Sequence, residues 1–471
     1  MENSTLISIL RTFHKKEIRD FKKWIQSPIH NQREDVVHLF DYLIASDHLN
    51  QDKFLQKERV FSKLFSSEPY DDAKLRQSIH FLLKAIEEFL IFHEMREDEV
   101  RSKITLASVY RKRKLDKAFG KTVQLIDTIQ ENSPYRNEQY LRNEYLLQNE
   151  KYTYIADKKR TANEVYLQEV SDALDATYLA DKLRQCCLIR AHQRVVTIDY
   201  NIGMLEEVLQ YIQNNLKLLE LPAIAIYYNC YYTFIYPEND SYFQALKVAI
   251  IKTGHLFPND EAKDIFIMAI SYCIERINKG HLSYTRELFD FYKKGFEEKI
   301  LLDNNAITLY TFRNVVTVGL KLEEDKWVSN FIRNYNKYID EEYRESITNY
   351  CMAMVSINQK DYSAAMRLLA TTEIKDVLIH LNAKTMLLKM YYELDEIDAL
   401  ESLLESMRTF IQRKQMIESY KANYQNIVKF TKKLIRIKPY DKTQTEGLRK
   451  TISEASPLTE KQWFLQQLDK V

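Results

Sequence analysis

Lys360-Asp361-Tyr362-Ser363-Ala364-Ala365-Met366-Arg367-Leu368-Leu369 is the stretch that decides how this chain folds. A polar break is followed by a tyrosine, by a small residue three positions later, and by leucines at helical spacing. Asp395-Glu396-Ile397-Asp398-Ala399-Leu400-Glu401-Ser402-Leu403-Leu404 repeats the phrase, with Ala399 lying 34 residues after Ala365. Looser copies centre on Leu115 with Ala118, Leu205, Tyr242 with Ala245, Leu282 and Trp327, and from Leu205 onward the steps run from 34 to 45 residues. A returning period of this size predicts helical hairpins of unequal length that stack on one another.

The composition agrees. Among 471 residues there are 7 glycines and 8 prolines, where average usage is about 7% and 5%. Strands, tight turns and phosphate-cradling loops need those residues, so the chain is expected to be more than about two thirds helix with essentially no sheet. Apolar residues at 45% and charged residues at 29% exclude intrinsic disorder. The 68 basic and 67 acidic residues leave no bulk field to draw the molecule onto nucleic acid or an anionic membrane. The 32 tyrosines fit an AT-rich coding genome, and a bacterial source is expected.

The hairpin phrase is similar to that of the tetratricopeptide-repeat family. Ala353 and Ala365, 12 positions apart, match the family's two small residues, and Tyr362 matches the large residue opening the second helix. The resemblance covers roughly residues 100 to 435 in period and is specific between about 345 and 410. It implies an all-α, right-handed α-solenoid of tetratricopeptide-like helical hairpins, and it leaves the partner unnamed.

Three segments are expected. Residues 1–100 form an N-terminal helical module with net charge −3. Its first helix is placed at Lys15–Ile25, ended by Ser27-Pro28; a second runs from about Glu34 to Ser46, a third starts near Lys57, and a fourth follows Asp71-Asp72. Residues 101–435 form the repeat array. Residues 436–471 form a basic C-terminal segment and capping helix; from Arg413 to Lys450 there are 11 basic and 3 acidic residues, Pro439 and Gly447 are expected breaks, and Leu458–Leu468 reads as a last amphipathic helix.

Cys186, Cys187, Cys230, Cys273 and Cys351 show no metal-ligand spacing and read as reduced core residues. The N-terminal residues lack the basic start and long apolar run of a signal peptide, and the longest uncharged run, Leu221 to Pro237, is short of a membrane span. A cytoplasmic protein with no membrane partner is expected.

Catalytic signatures are missing: there is no glycine-rich phosphate loop, Gly-x-Ser-x-Gly, His-Glu-x-x-His or Cys-x-x-Cys. Asp260-Glu261-Ala262-Lys263-Asp264 resembles the acidic metal-binding cluster of helical isoprenoid synthases and equally suits an acidic helix N-terminus after Pro258-Asn259. His93 and His192 have no second ligand one turn away. Two basic groups could meet phosphate or an acidic partner: Arg111, Lys112, Arg113 and Lys114 at an expected hairpin turn, and Lys429, Lys432, Lys433 and Arg436 on one helix face. A solvated face explains both as well. Tyr227, Tyr228, Tyr231 and Tyr232 form an aromatic stripe that suits either peptide recognition or core packing.

The expected function is a non-enzymatic scaffold or adaptor that binds a protein or peptide and uses no cofactor and no metal. The alternatives are a peptide-responsive regulator with an N-terminal effector module, a nucleic-acid-binding helical repeat protein, and, last, a helical metal-dependent enzyme.

Overall fold

The computed structural model describes residues 1–158, 167–193, 196, 198–302, 304–370, 374–437 and 441–470. Among the described residues it is all-helical, 78% helix in 23 α-helices, with no strand. Two compact units divide the chain: residues 1–185 with 202–224, and residues 186–201 with 225–471. The break expected at Pro439 lies outside the described residues.

The first unit opens with α1 (Thr5–Thr12), α2 (Lys15–Ile25), α3 (Glu34–Ile44), α4 (Lys57–Leu64) and α5 (Asp72–Glu97). Helix α1 corrects the expectation that Lys15 begins the first helix. It is eight residues long, too short to display a period, and its apolar face is recognisable only because Leu6, Ile7 and Leu10 pack inward near α5. Asp71 caps α5 as expected, accepting from the backbone N–H groups of Ala73 and Lys74 at 2.8 and 3.1 Å. A core from Leu6 to Phe89 joins these helices. At its centre Phe21 meets Phe40 and Phe89 edge to face, with ring centroids 4.8 and 5.3 Å apart. Beyond it α6 (Glu99–Lys112) and α7 (Asp116–Glu131) form a hairpin against α8 (Glu138–Ala156), and Phe119 stacks on Tyr154 at 4.0 Å. Helices α9 (Leu167–Gln193) and α10 (Leu205–Asn214) follow.

The second unit takes the end of α9 and most of α11 (Pro222–Ile235), then α12 (Asp240–Thr253), α13 (Asn259–Asn278), α14 (Tyr284–Glu297), α15 (Leu309–Lys321), α16 (Asp325–Tyr335), α17 (Glu341–Asn358), α18 (Tyr362–Ala370), α19 (Val377–Glu393), α20 (Ile397–Arg413), α21 (Glu418–Ile435), α22 (Lys442–Glu454) and α23 (Lys461–Leu468). Helix α13 packs on α14, α15 on α16, α17 on α18, α19 on α20 and α22 on α23. The phrase centres lie at or close to the starts of α7, α10, α12, α14, α16, α18 and α20.

One turn recurs. In five hairpins a residue at or just before the start of the second helix sends its N–H to the carbonyl five residues back, at 2.8 to 3.0 Å: Leu115 to Tyr110, His281 to Arg276, Glu324 to Gly319, Asp361 to Ser356 and Glu396 to Tyr391. The residue preceding each donor is left-handed, with φ between 57° and 96°: Lys114, Gly280, Glu323, Lys360 and Asp395. This is a Schellman closure, which satisfies carbonyls at the end of the first helix while reversing the chain. Four of the five corners do it without glycine, at roughly 1–2 kcal/mol of backbone strain each.

Small residues mark the closest approaches. Ala353 and Ala365 are fully buried. A Cβ on Gly319 would come within 3.1 Å of Phe289 and closer still to Val328. Gly447 corrects an expectation: it does not break the chain but sits inside α22 in open space, because an exposed helical position tolerates glycine at a cost of only about 0.5–1 kcal/mol. Helix α23 buries Trp463, Phe464 and Leu468 against the core that runs from Leu381 to Ile452.

Candidate functional site

Four alternate helices of the second unit, α15, α17, α19 and α21, contribute the same kind of face to one groove of about 970 Å³. Helix α15 supplies Tyr310, Arg313, Asn314 and Thr317; α17 supplies Tyr350, Met354 and Ile357; α19 supplies Asn382, Met386 and Lys389; and α21 supplies Tyr420, Asn423 and Tyr424. On each helix the spacings fall near one and two turns, so each set is one stripe. The volume lies at the upper end of the usual range for ligand clefts, about 300–1,000 Å³.

The walls are held in place by polar contacts. Tyr424 donates to Asn382 Oδ1 at 2.8 Å, and Tyr310 donates to Asp376 at 2.9 Å. The segment Pro457–Glu460, leading into α23, lines the groove as well: the Thr459 N–H donates to Asn423 Oδ1 at 2.8 Å, and Lys389 pairs with Glu460 at 2.9 Å. Burial pushes the Tyr424 phenol up to about 12, with the Arg313 charge pulling the other way. Tyr350 is pushed up for the same reason and is opposed by the same arginine. Both hydroxyls therefore stay protonated at neutral pH; Tyr424 uses its proton on Asn382, and Tyr350 keeps its own for an occupant of the groove.

Arg313 is partly buried, and its hydrogen bond is to Asn314 Oδ1 at 3.0 Å. No carboxylate pairs with it among the described residues. The sequence reading passed over Arg313, Tyr350, Asn382, Lys389, Asn423 and Tyr424. Their signal is a mixed aromatic and amide face recurring on alternate helices, which stands out only once the hairpins are aligned.

The residues singled out from sequence are not brought together. Tyr227, Tyr228, Tyr231 and Tyr232 are all buried, between 1 and 7% exposed, and this corrects the reading of them as a partner-binding surface. Tyr227 donates to Glu261 at 2.7 Å, Tyr232 stacks on Tyr242 at 4.8 Å, and Tyr231 lies beneath Arg190. The 3.6-residue period that suggested a recognition stripe is the period of burial itself.

Arg111 is likewise taken up internally, paired with Glu150 at 2.9 Å and Asp157 at 3.2 Å, while Lys112, Arg113 and Lys114 are exposed at the α6–α7 corner. Lys429, Lys433 and Arg436 are exposed on α21, and Lys432 pairs with Glu405 of α20 at 3.4 Å. Asp260 and Glu261 occupy the first turn of α13, where the helix dipole favours acids. His192 bonds to Tyr200 at 2.9 Å, and His93 corrects the expectation that nothing faces it one turn away: Glu97 lies 3.5 Å from its ring on the next turn. Among the described residues no group of three or more His, Cys, Asp or Glu is placed to hold a metal ion, and no helix is long and apolar enough to cross a membrane. All five cysteines are buried thiols.

No protein-family model, curated protein or solved structure matches the chain.

Proposed function

We propose that this chain is a non-enzymatic scaffold or adaptor of the cytoplasm that binds a protein or peptide along the first-helix face of its second unit. In this reading the hairpins form a right-handed solenoid of tetratricopeptide-like repeats, α1 to α5 are an N-terminal module, and α23 caps the array. The observation that supports it is the groove itself: four alternate helices present one lining of aromatic, amide and thioether side chains, a mixture suited to gripping an extended chain. The recurrent Schellman corners support the same reading, since they repeat one hairpin geometry along the chain.

A specific observation favours a regulatory variant of this function. Helix α5 exposes Ile91, Phe92 and Met95, and the Trp24 indole N–H next to Phe92 has no acceptor. An effector-contacting face on the N-terminal module would use these groups. The nucleic-acid alternative is weakened because Arg111 and Lys432 already have carboxylate partners.

The test is a selection of random peptides on the full chain, repeated on Thr317→Trp, which sets a bulky side chain into the groove lining. Peptides should be recovered by the parent chain and lost from the variant. Failure to recover any peptide, or equal recovery by a folded Thr317→Trp protein, would overturn the groove as the binding site.

A further inference from the structure

The groove lining offers donors as well as hydroxyls that can donate or accept. Asn382 and Asn423 have their carbonyl oxygens occupied, by the Tyr424 hydroxyl and by the Thr459 N–H, and neither amide nitrogen donates to another group among the described residues. The Tyr350 hydroxyl makes no hydrogen bond within the described residues although the residue is 4% exposed. Asn423 is 5% exposed. These groups face the open groove, where the carbonyl oxygens of a bound chain would take the place of water. The Glu460 carboxylate, the acidic group in the lining, is already held by Lys389.

The unpaired charges of the lining have one sign among the described residues. Arg313 and Lys360 both line the groove, and neither pairs with a carboxylate among the described residues. Arg313 lies on α15 and Lys360 at the corner after α17, so the two cations belong to different hairpins. A single carboxylate would satisfy one of them. A run of acidic side chains on an extended backbone would satisfy both, while its carbonyl oxygens accept from Asn382 and Asn423.

We infer that the groove takes an extended acidic peptide segment, with one Asp or Glu carboxylate on Arg313 and a second towards Lys360. This rests on the reading of the groove as a peptide site and adds the chemistry of the occupant. Arg313 is the anchor, because a partly desolvated guanidinium gains most from a charge-assisted, two-pronged hydrogen bond to carboxylate. Lys360, exposed to solvent, adds attraction at longer range that salt screens.

The experiment uses the full chain and fluorescein-labelled peptides of roughly twelve residues, long enough to cross several helices in extended form. Peptides recovered by selection are compared with copies in which every Glu and Asp is replaced by Gln and Asn. The acidic peptides should bind about tenfold or more tightly than the amide copies and weaken as salt rises. Arg313→Gln should remove most of the difference between the two sets, and Arg313→Gln with Lys360→Gln should bring them to the same affinity. Thr317→Glu, which offers Arg313 a carboxylate one turn away, should also remove most of the difference, without taking the arginine from its packing; circular dichroism reports whether these variants fold.

Equal binding of acidic and amide peptides to the parent chain, abolished by Thr317→Trp, would overturn the acidic occupant and leave the peptide site standing. Binding that needs only a free C-terminal carboxylate, or a single-stranded RNA that displaces the peptides through Arg313, would also overturn it. No peptide binding at all would remove both readings together.

Discussion

Glu323 carries a positive φ of 59° at the corner between α15 and α16, a conformation in which its Cβ crowds the backbone. Glycine there relieves roughly 1–2 kcal/mol of strain and gives back roughly 0.5–1 kcal/mol in unfolded-chain entropy. Glu323→Gly should therefore stabilise the chain by about 0.5–1 kcal/mol, read as a higher urea midpoint; a lower midpoint would show that the corner does not hold this geometry. Four residues earlier the opposite constraint applies. Gly319 lies so close to Val328 and Phe289 that even a methyl group must displace them. Gly319→Ala should destabilise by about 1–3 kcal/mol, and Ala365→Leu, at a fully buried position, by a similar amount. If both leave the midpoint unchanged, the close helix contacts assigned to them are wrong.

At the scale of elements, α19 and α20 are joined partly through His380, whose ring stacks on Phe410 with centroids 4.5 Å apart. Burial pushes the His380 imidazole below its ordinary value, and Lys384 and Lys414 act in the same direction. As pH falls below about 6.5 the unfolded chain takes up this proton before the folded one does, so stability is complete above that value and declines beneath it. His380→Gln should flatten the fall in thermal midpoint between pH 7 and 5. An unaltered pH profile would show that the ring is not held neutral by this contact. Helix α22 offers a test of propensity alone: Gly447 touches nothing, and Gly447→Ala should raise stability by about 0.5–1 kcal/mol. A loss would mean that the glycine is needed for a turn after all.

For the whole molecule, net charge is +1 and the basic stripes are partly neutralised from within, as at Arg111 and Lys432. The full chain should show no binding to duplex DNA or single-stranded RNA tighter than about micromolar at physiological salt. Replacing Lys429, Lys432, Lys433 and Arg436 together with Gln should change nothing in a fluorescence-anisotropy titration. Submicromolar binding that those four substitutions abolish would restore the nucleic-acid reading and displace the scaffold.

The sequence by itself determined that the chain is helical, because 7 glycines and 8 prolines cannot punctuate a sheet protein of this length, and it located the second helix of most hairpins, because Tyr362 and Ile397 follow polar corners that recur. It also determined the Asp71 cap and the burial of the cysteines, both local matters of residue type. Only tertiary structure decided that Tyr227, Tyr228, Tyr231 and Tyr232 are core, that Thr5–Thr12 is a helix, and that Gly447 continues one. The groove belongs to the same class: Arg313 and Asn423 stand 110 residues apart, and nothing near either marks the other. A helical period states which face of an element is apolar, but what covers that face, and which polar groups are left without partners, depends on surfaces contributed by distant parts of the chain.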